Sequence, residues 1–362
     1  MSGGKIELHM NVKDRRLGIG GTALVTPGTY YGTAVAAKVI PVRQPSDRKA
    51  RCAEDTMDNE LRFLPRLRHK HIVSFLQYIY QPLEGLHVMI MEQLAGTVED
   101  VVLLARRHSM PIAAETVLKI GLHAAQALMY IHDGQILHGD VKTTNLLSTA
   151  SPEVLEEATS QRGPAVALPA EALVKLGDFG DSLDLSEPTE PLTRGYTPEY
   201  LAPEWAPIVD RSRREPLPRH LAPSCPLARD LYALGVVIYE LLIPNRSLLS
   251  STIGDRPIWP SATDAGDTCL ATMAQLPGVV AIAERLLDED PTVRPSAELV
   301  WWRLLYEHKT RTPPAGERLT TPAPFSGGGG RGPAATRGEW RSLASGAAME
   351  LLNWLGCRRL HL

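Results

Sequence analysis

Cysteine is scarce in this chain and badly placed for structural work. The four cysteines, Cys52, Cys225, Cys269 and Cys357, are scattered without a C-x-x-C pair, so neither a zinc site nor a disulfide framework is indicated. No apolar run approaches the length needed to cross a bilayer, and Met1 to Lys13 is polar, without the apolar centre of a signal peptide. Charge of one sign is not in excess: 38 basic against 41 acidic side chains leave a net charge of -3, which points to no nucleic acid partner. These absences predict a protein of a reducing compartment, the cytosol or nucleus. The 362 residues are 44% hydrophobic and 22% charged, a composition that predicts a soluble globular protein with room for two domains or lobes.

Two polar stretches stand out. The first is His138-Gly139-Asp140-Val141-Lys142-Thr143-Thr144-Asn145; the second, Asp178-Phe179-Gly180, follows the apolar run Leu173–Leu176. Asp140 can accept or orient a hydroxyl proton, and Lys142 beside it can meet a phosphate. Asn145 offers a neutral oxygen and Asp178 a charged one, both suited to Mg²⁺, a hard cation. Upstream, the glycine-rich stretch Leu17–Val25 could bring backbone N–H groups against phosphate oxygens, although an ordinary hairpin accounts for it equally well when taken alone. Next comes an apolar β-run, Thr33–Ile40, containing Lys38, an ammonium that is costly there unless it meets an anion.

Asp58–Leu67 has helical periodicity, with Leu61, Leu64 and Leu67 on one face and Glu60 near it, placed to pair with Lys38. Two strands, Ile72–Tyr80 and Leu86–Met91, should be joined by a turn at Pro82–Gly85. The backbone of Glu92–Gly96 could meet an adenine edge. From Val98 the pattern turns helical, most strongly over Glu115–His132.

In order and approximate spacing, Gly18-x-Gly20, Val35-Ala36-Ala37-Lys38, Glu60, His138-x-Asp140-x-Lys142-x-x-Asn145, Asp178-Phe179-Gly180 and Ala202-Pro203-Glu204 resemble the eukaryotic protein kinases. The resemblance runs from about residue 13 to 308. Within that family the catalytic run and the following Gly177–Leu185 look most like the T-LAK cell-originated (PDZ-binding) protein kinase group, with an interleukin-receptor-associated-like or other branch left open. It implies an α+β, bilobal fold: a small, mainly antiparallel β N-lobe with one key helix (13–92) and a larger, mainly α C-lobe (97–308). It further implies ATP and Mg²⁺ as cofactors and a protein substrate.

By position, the resemblance assigns Asp140, Lys142, Lys38, Glu60 and Thr197 to catalysis, and Asn145 and Asp178 to the metal. The phosphate lid would be Gly18, Ile19, Gly20, Gly21 and Val25. Ala36, Lys38, Met91, Glu92, Leu94, Leu147 and Asp178 would complete the nucleotide pocket, Met91 as gatekeeper and Glu92 and Leu94 through hinge backbone. Phe75, Leu64, Phe179 and His138 should stack as a column between the lobes, anchored below by Asp230, and Arg294 should pair with Glu204. Lys142 and Thr197 resemble the serine/threonine signature, with dual specificity still open. The competing reading is a nucleotide-binding pseudokinase scaffold or adaptor.

The departures are informative. Gly139 stands where the family usually carries an arginine that grips an activation-loop phosphate, so activity should depend less on phosphorylation of Ser182, Ser186, Thr189 or Thr193. Ala23 replaces the third lid glycine. Insertions at about 148–172 and 206–227 lengthen the C-lobe; the first reads as an exposed excursion, and the second carries a basic run, Arg211–Arg214. Residues 1–12 read as an N-terminal extension and 309–337 as a flexible linker. Residues 338–362 read as an amphipathic tail that would dock on the lobe or bind a partner.

Overall fold

The computed structural model describes residues 8–10, 18–19, 24–41, 48–81, 85–187, 194–212, 222–244 and 272–311. Residues 1–314 and 315–362 form separate units, and the tail and most of the linker lie outside the described residues. The first lobe is a six-stranded antiparallel sheet of β1 (Leu8–Met10), β2 (Gly18–Ile19), β3 (Leu24–Tyr30), β4 (Thr33–Pro41), β5 (Phe75–Gln81) and β6 (Leu86–Glu92). Its order is β1-β3-β4-β6-β5, with β2 also pairing with β3. The sheet thus begins inside residues 1–12, where the sequence suggested an extension. Val35, Ala37 and Val39 pack with Ile79, Val88 and Ile90 as the core of this lobe. The alternate residues Ala36, Lys38 and Ile40 are buried too, on the opposite face of β4, which explains why the strand reads as one apolar run.

Helix α1 spans Arg48–Phe63, starting well before the expected Asp58. Its first half is polar and gives no apolar period to read. It ends sooner than expected because Pro65 cannot continue the helical hydrogen bonds and disfavours helical geometry at Leu64; Leu64–Arg66 is a 3₁₀ turn. The buried face is Met57, Asn59, Glu60, Phe63 and Leu64, whereas Leu61 is half-buried. Polar residues sit on that face because each finds a buried partner. β5 begins at Phe75 instead of Ile72, since Ile72 bridges to Leu176.

The second lobe is mainly helical: α2 (Val98–His108), α3 (Ala114–Asp133), α4 (Pro152–Arg162), α5 (Ala206–Ser212), α6 (Ala228–Leu242), α7 (Pro277–Leu286) and α8 (Ala297–Arg311). Helix α2 opens on a capping box: Thr97 Oγ1 accepts the Asp100 N–H at 3.2 Å and Asp100 Oδ2 accepts the Thr97 N–H at 2.7 Å. Helix α3 packs on α6 and α8, and α6 is buried on nearly every side. α8 runs to Arg311, past the expected boundary at 308. No helix among the described residues is long and apolar enough to cross a membrane.

Short strands present the loops: β7 (Gly96–Thr97), β8 (Ile136–Leu137), β9 (Leu146–Ser148), β10 (Val174–Leu176) and β11 (Leu183–Asp184). β9 and β10 pair with Leu146 opposite Leu176, setting Asn145 and Gly177 side by side at their ends. Leu137 opposite Leu183 does the same for His138 and Ser182.

The first insertion is not the exposed excursion expected. Helix α4, capped by Ser151, buries Leu155 and Thr159, and Val166, Ala167 and Leu168 are buried after it. Val166 exchanges backbone hydrogen bonds with Pro111 and Ala113, and Lys119 Nζ donates to the Pro169 and Ala170 carbonyls, both at 2.6 Å. Its apolar residues are spread around prolines, so no periodicity announced the packing. Of the second insertion, Ala206–Ser212 is helical and 213–221 lie outside the described residues.

Two stacked imidazoles brace β10. His71 Nδ1 meets the Val174 carbonyl at 2.9 Å, the Val174 N–H donates to His123 Nδ1 at 3.1 Å, and the two rings stack 3.9 Å apart. Burial pushes His71 down to about 3 and His123 down to about 2, with the neighbouring lysines acting in the same direction. In the unfolded chain both titrate near 6.5. The unfolded state therefore takes up protons first, and the stability these residues contribute is complete above pH ~6.5 and is lost as pH falls toward ~3. Unfolding free energy measured by denaturant should drop between pH 7 and pH 5 by on the order of 1–2 kcal/mol per histidine. A His71→Asn/His123→Gln variant should flatten that slope; equal slopes in both proteins would refute the assignment.

Candidate active site

Two clusters form where the lobes meet. In the upper one, Lys38 Nζ lies 2.6 Å from Glu60 Oε2 and 3.0 Å from Asp178 Oδ1. Burial alone would strip the ammonium of its proton, but the two carboxylates outweigh it and hold its pKa above the ordinary lysine range. Asp178 is held below the usual carboxylate range: burial opposes its charge, and Lys38 overcomes that opposition. Its backbone is left-handed, at φ 62 and ψ 73, and its side chain remains 47% exposed.

In the lower cluster, Asp140 is the hub. Thr197 Oγ1 donates to Asp140 Oδ1 at 2.6 Å, and Lys142 Nζ donates to Asp140 Oδ2 at 2.6 Å and to Thr197 Oγ1 at 2.9 Å. Asn145 Nδ2 donates to the Asp140 carbonyl at 2.8 Å and to its Oδ2 at 3.0 Å. The clusters are tied together by backbone: the Gly177 N–H donates to the Asn145 carbonyl at 2.9 Å, and His138 Nε2 meets the Gly177 carbonyl at 3.1 Å.

Of the supports expected from the sequence, the Asp230 anchor, the Arg294–Glu204 pair and the His138–Phe179 contact are present. Asp230 accepts the N–H groups of His138 at 2.8 Å and Gly139 at 2.9 Å, and meets His132 Nε2 at 3.0 Å. His138 and Phe179 rings meet edge-on at 4.8 Å, both fully buried like Leu64, while Phe75 is half-buried. Arg294 grips Glu204 with both terminal nitrogens at 2.7 Å.

Among the residues expected to line a nucleotide pocket, Val25 pairs with Lys38 and Ala36 with Met91, so these side chains occupy adjoining strands. Gly18 and Ile19 form β2 against Leu24 and Val25; Gly20, Gly21 and Ala23 lie outside the described residues. Glu92 ends β6. Its N–H already donates to the Ser74 carbonyl at 3.0 Å, so any adenine contact from Glu92 falls to its carbonyl. Its carboxylate accepts the Ser74 N–H at 2.7 Å and holds Lys175 at 2.7 and 2.8 Å, clasping the hinge to β10. Leu94 is buried, and its N–H has no backbone partner among the described residues. Leu147 lies on β9 opposite Lys175.

Several site residues escaped the sequence reading. Asn59, next to Glu60, donates from Nδ2 to the carbonyls of Gly180 and Ser182 at 2.9 Å, holding the segment after Asp178 to α1. Thr143 Oγ1 donates to Glu99 at 2.5 Å and meets the Tyr200 hydroxyl at 3.0 Å, which donates to Glu240 at 2.5 Å. Arg229 is buried under Gly139. A charged pair opening an otherwise apolar helix, Ala228-Arg229-Asp230-Leu231-Tyr232, was the available signal for it. Ser182, read as a phosphorylation candidate, is fully buried and donates to the His138 carbonyl at 3.2 Å, whereas Ser186 is exposed. Thr189 and Thr193 lie outside the described residues.

A buried lysine paired to a helix glutamate, set over a loop bearing an aspartate, a lysine and an asparagine, is an arrangement of the protein kinase fold. Residues 12–302 match the family described as protein kinase domain, and the chain belongs to the protein kinase family. It is similar to a probable serine/threonine-protein kinase of Dictyostelium discoideum, 26% identical over 62% of this chain and 32% of that protein. It is also similar to serine/threonine/tyrosine-protein kinase HT1 of Arabidopsis thaliana, 23% identical over 74% and 59%. A third relative is serine/threonine-protein kinase atg1 of Dictyostelium discoideum, 26% identical over 67% and 32%. The chain spans less than two thirds of the length of each of these relatives.

Proposed function

We propose that this chain transfers the γ-phosphoryl group of Mg-ATP to serine or threonine hydroxyls of proteins. The observation that carries the reading is the Lys142–Asp140–Thr197 triangle, a carboxylate already accepting an aliphatic hydroxyl with an ammonium against its other oxygen. Asp140 would orient the acceptor hydroxyl and take its proton, and Lys142 would follow the charge as it shifts onto the leaving and transferring groups. Lys38, fixed by Glu60, would hold the α- and β-phosphates beneath the Gly18–Val25 lid. Adenine would lie among Val25, Ala36, Met91 and Leu147 and meet the backbone of Glu92 and Leu94.

The residues fit a magnesium ion. Asp178 commits one carboxylate oxygen to Lys38 while its side chain stays half exposed, and Asn145 commits its amide nitrogen to Asp140, which leaves its oxygen for a cation. Mg²⁺ is held by few protein oxygens, its remaining ligands being water and substrate phosphates. Bound there, it would neutralise charge on the phosphates. Catalysis would come from positioning and electrostatics, without a covalent enzyme intermediate.

Lys142 and Thr197 support a serine/threonine acceptor, and phosphoamino acid analysis of labelled substrate tests dual specificity. The His138–Asn145 and Gly177–Leu185 runs support placing the chain near the T-LAK cell-originated kinase group. With radiolabelled ATP, Mg²⁺ and a peptide array, wild type should label peptides, Lys38→Met should reduce incorporation by about 100-fold or more, and chelation should abolish it. Nucleotide binding with wild-type incorporation no higher than that of Lys38→Met would establish the scaffold reading instead.

A further inference from the structure

The family arginine missing at 139 has no room to return. Gly139 has φ +82, and a Cβ added there would lie 2.7 Å from the Asp181 carbonyl oxygen. At Gly195, likewise, an added Cβ would run into the Asp181 carboxylate. Both glycine backbones thus lie close against one half-buried aspartate.

Into this junction reaches Arg229 from the first turn of α6. Its side chain is buried and lies with its guanidinium carbon 5.0 Å from the centre of the Trp205 ring, and the negative charges of Asp230, Asp181, Asp140 and Glu204 partly offset the cost of burying it. Its Nη2 donates to the Gly139 carbonyl at 2.6 Å and to the Gly195 carbonyl at 2.7 Å. Gly139 immediately precedes Asp140, and Gly195 precedes Tyr196-Thr197. One nitrogen therefore holds both backbones that bring the Thr197 hydroxyl onto Asp140.

We propose that Arg229 is a positioning residue for phosphoryl transfer, clamping the catalytic loop to the end of the activation segment from the protein interior and so doing without a loop phosphate. This inference rests on the kinase reading above. An arginine in the catalytic loop reaches outward and must wait for a phosphate to bridge to the activation segment. Arg229 reaches the same segment from below and binds its carbonyl directly, so the connection is present in the unmodified chain. Because the clamp acts through Asp140 and Thr197, its loss should lower kcat and spare ATP affinity, which depends on Lys38, Glu60 and Asp178.

The test compares wild type, Arg229→Gln and Arg229→Lys for kcat, KM for ATP and backbone hydrogen exchange, and assays wild type before and after phosphatase treatment. Arg229→Gln should lower kcat by about 100-fold with KM for ATP within about twofold. Exchange should accelerate in peptides covering 139–142 and 195–197 and stay unchanged in β4 and α1. Phosphatase-treated wild type should keep its kcat. Unchanged kcat in the variants, acceleration spread over the whole domain, or loss of wild-type activity on phosphatase treatment would each overturn the proposal. Arg229→Lys, which keeps the charge, serves if the glutamine variant does not fold. If wild type itself transfers no phosphate, the kinase reading fails, and the exchange pattern still decides whether Arg229 ties the two segments.

Discussion

Asp140→Asn should lower phosphoryl transfer by about 10²–10⁴-fold while leaving the fold and nucleotide binding in place. The reason lies in how the site would receive the amide. Asn145 Nδ2 and Lys142 Nζ both point donors at Oδ2, so the new side chain must turn its oxygen toward them. Its nitrogen then faces Thr197 Oγ1, which can accept instead of donate. Every neighbour keeps a partner, and what disappears is negative charge and basicity at the atom meant for the acceptor hydroxyl. Lys142 loses a charge partner but is partly open to water, so stability should change by less than about 1 kcal/mol. ATP affinity should hold, because Lys38, Glu60 and Asp178 form a separate cluster. Steady-state transfer, ATP titration and thermal denaturation check the three parts. A variant retaining more than a tenth of wild-type activity would remove Asp140 from the chemistry.

What the sequence revealed of this site is the part carried by short spacing. Asp140, Lys142 and Asn145 share one loop, and their side-chain chemistry at that spacing suggested a proton acceptor, a phosphate contact and a cation ligand. Lys38 was legible because an ammonium in an apolar strand needs an anion, and Glu60 and Asp178 supply two. The lobes were legible because β4 is a short continuous apolar run and α3 has a clean helical periodicity. Apart from the early end of α1 at Pro65, the failures share a physical cause: they depend on contacts between residues far apart in sequence. The polar first half of α1 has no apolar period, and the helix runs on because its later turns are anchored by Asn59 and Glu60. The insertion after β9 looked exposed because prolines break its pattern, yet its backbone bonds to Pro111 and Ala113.

Gly139 shows the same limit most clearly. In the sequence it is a missing side chain. In the fold it is a left-handed residue packed against Asp181, with Arg229, ninety positions on, bonded to its carbonyl. Absence at one position and a buried charge at another are one feature, and only the packing joins them. Ser182 makes the converse point: a hydroxyl on the activation segment that composition offers for modification is turned inward onto His138.

The second large effect expected is on stability. Glu204→Ala should destabilise the protein by about 3–5 kcal/mol, read from the denaturant midpoint. The Arg294 side chain is fully shielded from solvent, with both terminal nitrogens at 2.7 Å from the Glu204 oxygens. After truncation the guanidinium keeps only neutral acceptors, the carbonyls of Asp288 at 2.8 Å, Ala228 at 3.1 Å and Glu289 at 3.4 Å, together with the Tyr232 ring. A buried cation without a counter-ion costs far more than the pair contributes when intact. The pair should therefore be replaceable: Glu204→Leu/Arg294→Met, which removes both charges, should recover at least half of the loss. Its effect on chemistry should be indirect, since Arg294 touches the Ala228 carbonyl at the start of α6, the helix that supplies Arg229 and Asp230. Well below its midpoint, Glu204→Ala should thus keep most of its kcat, unlike Asp140→Asn. A double variant no more stable than Glu204→Ala, or a single variant as stable as wild type, would show that the bridge does not carry this load.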